Sequence, residues 1–134
     1  MNRDRWLGAV SAAQLGLGVS GLVVALRRHH AYELPLLHGR PGNVARDSVL
    51  MGTALSAPVV MLAVQGAATA AVLGGDRAPA RLVLGGLGAA MVAGYLGEAL
   101  VRARLRRSGY DRLESPLVGT GIALSAAMAA LGLT

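Results

Sequence analysis

Glu98 is the one acid inside a long apolar run of this chain, LVLGGLGAAMVAGYLGEALVRARL, from Leu82 to Leu105. A carboxylate is costly to hold in hydrocarbon, so an acid kept there is a candidate proton acceptor, cation site or acid–base group. Arg102 follows at i+4, and an ion pair at the helix end is the simpler expectation for the same two residues. Tyr95 lies on the adjoining face and adds a hydroxyl. A second acid, Asp47, belongs to the polar stretch between Leu37 and Leu50, with His38, Arg40, Asn43 and Arg46. Asp47 within reach of Glu98 would make a carboxylate pair suited to acid–base catalysis. Arg40, Asn43 and Arg46, beside the Pro41-Gly42 turn at a helix start, suit the capture of a phosphate or carboxylate, with plain capping as the competing reading. Gln14 and Gln65 lie in apolar runs, where amides usually bond helix to helix, and Gln65 would bind a ligand's polar group if it faced a cavity.

Other chemistries are excluded or unsupported. There is no cysteine, so thiol catalysis, disulfides and Cys-ligated metals are out. No two of His29, His30 and His38 have the i, i+4 spacing of a helical zinc site. His29 and Glu33 do, but only if a helix continues past Arg28 toward Pro35. Neither a metal nor a cofactor is expected, since no Gly-rich phosphate loop, nucleophile elbow or haem motif is present. The net charge of +6 comes from 13 arginines placed next to apolar runs. That placement suits anionic lipid headgroups, and without interleaved aromatics it does not suit nucleic acid.

The elements that position these residues read as four membrane-spanning helices at about 6–26, 49–74, 82–105 and 116–134, in a single domain over 1–134. Pro58 falls inside the second and is expected to kink it. Asn43 reads as the cap of a short turn leading into that helix, and Ser115 and Pro116 as cap and first residue of the fourth. Small residues spaced by four, Gly8, Ala12, Gly16 and Ser20 and then Gly86, Ala90 and Gly94, form packing ridges, and the second ridge suggests a homo-oligomer. Asn2, Arg3 and Arg5 precede a run longer than a signal peptide's core, so the first helix reads as uncleaved.

Arginines divide four against nine between the two sides, which places both termini outside a plasma (inner) membrane and the two long connections in the cytoplasm. The halves also echo each other. Leu26-Arg27-Arg28 answers Leu105-Arg106-Arg107, and the block Gly52 to Ala57 answers Gly119 to Ala126, suggesting two parallel hairpin repeats. The fold class is therefore all-α and integral to a membrane. Three functions fit it: binding or transport of a small amphipathic or lipid-like molecule near Glu98; a membrane-embedded isomerase, cyclase or hydrolase using Glu98 and Asp47; or a structural subunit of a membrane complex.

Overall fold

A computed structural model describes residues 2–31, 33–34, 37–49, 52–53, 55–75 and 77–134. Helix α1 runs Asn2–Arg28, longer than expected at both ends, with Asp4 in its first turn and Arg27 and Arg28 in its last, where each charge opposes the helix dipole. Leu7, Ser11, Gln14, Gly18, Gly21 and Ala25 are buried at intervals of three or four and, with Gly8 beside Leu7, form one inward stripe. The helix stops at His29, whose φ of 54° is left-handed, and the His30 N–H turns back to the Ala25 carbonyl at 2.9 Å. The helix therefore does not carry His29 and Glu33 on one face. A two-residue hairpin ladder follows, β1 (Glu33–Leu34) against β2 (Leu37–His38), then the four-residue helix α2 (Val44–Asp47).

The second long helix is shorter than expected. Helix α3 covers Val59–Gly74, and Pro58 precedes it in an extended conformation instead of kinking it from within. A proline loses nothing at a helix start, because its missing N–H has no partner there. The chain ahead of it forms its own turn. The Thr53 N–H bonds to the Ser56 carbonyl at 3.1 Å, and their hydroxyls lie 3.0 Å apart. Gly52 has a φ of 82°, and a Cβ there would meet the Ser56 carbonyl oxygen at 2.7 Å, so no side chain fits.

The third helix also departs from expectation. It begins earlier, as α4 (Ala78–Gly97), breaks at Glu98, whose ψ of 129° is extended, and resumes as α5 (Ala99–Arg104). The last helix, α6, is Glu114–Leu133. Ser115 is not its cap. The Asp111 carboxylate accepts the Leu113 and Glu114 N–H groups, both at 2.9 Å, while the Ser115 hydroxyl donates to the Arg104 carbonyl at 2.8 Å.

Helix α1 packs on α3 and α6, and α4 packs on the same two, so α1 and α4 stand diagonally in a four-cornered bundle. The tightest crossing is α4 on α6. A Cβ on Gly88 would lie 2.6 Å from the Ser125 carbonyl oxygen, and Gly132 abuts Gly85 backbone to backbone. The close-packed ridge of this helix is thus Gly85 and Gly88. Gly86, Ala90 and Gly94 lie on its exposed side, and nothing stands within 4 Å of a Cβ on Gly86 or Gly94. The echoing blocks also differ in shape, since Gly52, Thr53 and Leu55 to Ala57 lie outside any helix and Gly119 to Ala126 lie within α6.

Helices α1, α4 and α6 are each long and apolar enough to cross a membrane, and α3 is a shorter apolar helix. Polarity is distributed inside out. Val19, Val23, Val60, Val64, Leu82 and Val83 face outward, while Ser11, Gln14, Gln65, Thr69 and Ser125 are buried together. Gln65 Nε2 donates to Gln14 Oε1 at 3.1 Å, Gln14 Nε2 to Ser125 Oγ at 3.2 Å, and Ser11 Oγ lies 2.7 Å from Thr69 Oγ1. These bonds tie α1, α3 and α6 at mid-height.

Candidate functional site

Glu98 sits where α4 gives way to α5, one residue past the apolar span, and only 6% of it is exposed. The break frees the last carbonyls of α4. Arg102 takes two of them, donating to Leu96 O at 3.0 Å and Gly97 O at 2.6 Å. The expected Glu98–Arg102 ion pair therefore does not form, because the guanidinium is committed to the helix end. Both carboxylate oxygens of Glu98 instead accept the Glu33 N–H of the hairpin, at 3.0 and 2.8 Å. Among the described residues no cation comes within pairing distance of it.

Beside this carboxylate a partly open cavity of about 100 Å³ lies between α4 and the start of α3. Thr53 and Ser56 contribute polar groups to its wall, and Met61, Met91, Pro58 and Tyr95 line it as well, the Tyr95 hydroxyl being turned away toward Gly121 and Gln14 in the bundle core. Ala90 and Gly94 border it with minimal side chains. A cavity of this size holds about three waters or a small head group. Burial pushes the Glu98 carboxyl up to about 7, the Glu33 amide draws it down, the Glu33 carboxylate raises it and Arg102 lowers it. The result is a carboxyl able to exchange a proton near neutral pH.

A second buried acid, Glu114, lies at the same end of the bundle and went unnoticed in the sequence. Its side chain is fully buried, and Arg104 Nε donates to it at 2.8 Å while Arg28 Nη1 lies at 3.2 Å. His30 Nε2 stands 2.5 Å from the other oxygen, out of line for an N–H bond. Arg28 reaches Asp111 as well, at 3.3 Å. The Asp111 carboxyl is held below the usual range by the Glu114 and Leu113 amides, with Arg28 adding to the effect. This cluster staples the ends of α1, α5 and α6 together.

The other residues singled out in the sequence lie apart from the cavity. Asp47 is half-buried and stands 3.5 Å from Arg46, and the cavity wall does not include it. Arg40 and Arg46 are exposed, and Asn43 caps α2 without a side-chain bond. His38 is exposed beside Glu33 at 3.7 Å. Gln65 is buried in the polar core rather than in the cavity wall. Only Glu98 and Tyr95 of the predicted set line the cavity. Thr53 and Ser56, which the sequence placed inside a helix, join them because that stretch is a turn. Compared with protein-family profiles, curated proteins and solved structures, the chain has no match.

Proposed function

We propose that this chain is a multi-pass protein of the plasma (inner) membrane that binds or moves a small amphipathic or lipid-like molecule at the Glu98 cavity. The observation carrying this reading is a buried carboxylate, at a helix break, that opens on a cavity and has no cation paired with it. Broken helices at membrane depth are tolerated where they line a cavity, and they recur at transporter binding sites. The inside-out polarity supports the membrane setting. Nine arginines at the cavity end support an orientation with that end in the cytoplasm and both termini outside. The acid–base enzyme reading asks for Asp47 next to Glu98, and the cavity wall offers the Thr53 and Ser56 hydroxyls instead.

The test is thermal unfolding of the full chain in lipid nanodiscs, with and without medium-chain amines, alcohols and carboxylates. At least one is expected to raise the melting temperature of the parent and to leave Gly94→Leu unmoved. A leucine at Gly94 meets no atom within 4 Å of its Cβ, so it narrows the cavity edge without forcing the backbone. If no compound stabilises the parent, or if Gly94→Leu responds as the parent does, the reading fails.

A further inference from the structure

The cavity's wall specifies the head group it takes. Glu98 is its one buried formal charge and is negative, with acceptor lone pairs left over after the single Glu33 N–H. The Thr53 and Ser56 hydroxyls bond each other, Ser56 Oγ donates to the Ala57 carbonyl and Thr53 Oγ1 accepts the Leu55 N–H, which leaves each oxygen one lone pair to offer. The remaining wall is the Tyr95 ring, thioether, proline ring and small aliphatic, suited to a short hydrocarbon stem. The charged groups nearby do not compensate Glu98. Arg102 is turned onto the Leu96 and Gly97 carbonyls, and Glu33 adds a second negative charge at the surface, with exposed His38 beside it. A buried carboxylate without a cation is an incomplete arrangement, and the missing partner is a cation that brings its own N–H donors.

We infer that the Glu98 cavity takes the primary ammonium group of a small lipophilic amine, with its hydrocarbon tail running out through the open side between α3 and α4. This rests on the reading of the cavity as a binding site and names the ligand's chemistry. A quaternary ammonium satisfies the charge but offers no N–H to the carboxylate or the hydroxyls. An alcohol offers one donor and no charge, and a carboxylate repels Glu98. Binding with Glu98 protonated releases that proton as the ammonium replaces it.

The experiment compares octylamine, octyltrimethylammonium, 1-octanol and octanoate by calorimetry on the full chain in zwitterionic nanodiscs at about pH 8, where Glu98 is mostly ionised and the amine mostly charged. Octylamine is expected to bind roughly tenfold tighter than octanol, with the quaternary head between them and octanoate weakest. Glu98→Gln keeps an oxygen for the Glu33 N–H. It is expected to erase the amine's advantage while leaving octanol unchanged. If that variant does not fold, the parent decides alone: octylamine affinity is expected to fall toward about pH 6 while octanol affinity holds. Octanol equal to octylamine, or octanoate tightest, overturns the amine assignment and leaves the binding reading standing. None of the four binding overturns both.

Discussion

Glu98 and Glu114 are two buried glutamates at one end of one bundle, and their surroundings are opposite. Glu114 is neutralised by Arg28 and Arg104, with His30 against its free oxygen, and it does not line the cavity beside Glu98. Glu98 has one backbone amide for a partner and a cavity beside it. Burial alone therefore says little about function, because the same burial serves a staple in one place and leaves an unmet charge in the other. What separates them is the count of cations within reach.

The contrast breaks most easily at Glu114. Glu114→Ala removes a fully buried acceptor shared by Arg28 and Arg104, which keep Asp111 and the Gly109 carbonyl, and is expected to cost about 2–3 kcal/mol. Reversible unfolding in mixed micelles measures it. Glu98→Gln keeps its one bond and is expected to cost less than about 1 kcal/mol. Equal losses at the two sites would erase the distinction between staple and site.

Proton exchange sharpens the contrast next. With its carboxyl pushed up to about 7, the folded protein holds the Glu98 proton more tightly than an exposed glutamate does. The sign follows: the buried charge weakens the fold as pH rises from the ordinary glutamate value through about 7. Infrared difference spectra should show a protonated carboxyl at about pH 6 that is lost by about pH 8 and is missing from Glu98→Gln. The smallest expected effect is Arg102→Ala. It uncaps the Leu96 and Gly97 carbonyls and is expected to cost about 1 kcal/mol without touching the amine preference. A lost preference in that variant would make Arg102 part of the site.

The sequence declared the helices through its long apolar runs, and the Gln14–Gln65 link through amides that hydrocarbon cannot solvate. The break at Glu98 was hidden, because Gly97, Ala99 and Leu100 are unremarkable in a helix. Distant groups hold it open: the Glu33 amide takes the carboxylate and Arg102 takes the carbonyls. Pro58 looks like a mid-helix residue in the sequence because membrane helices tolerate proline, yet it precedes α3. Gly-Thr at 52–53 and Ser-Ala-Pro at 56–58 do carry the local bonding that competes with a helix. Glu114 was passed over in an arginine-rich connection. Its place before Ser115 and Pro116 marks a helix start, but nothing local announces that the turn at His29 will bring His30 to it.

In the membrane setting proposed above, the short third corner of the bundle has a consequence for the surrounding lipid. Sixteen residues of α3 reach about 24 Å, against a hydrocarbon thickness of roughly 30 Å. Its lead-in, with Thr53, Leu55 and Ser56 buried against the bundle, then sits at a depth that the other three helices span as helix. The bilayer would pinch on that flank alone, bringing the aqueous boundary down beside the cavity mouth. A thin bilayer relieves the mismatch and a thick one aggravates it, so membrane thickness itself becomes a variable acting on how readily the cavity is wetted.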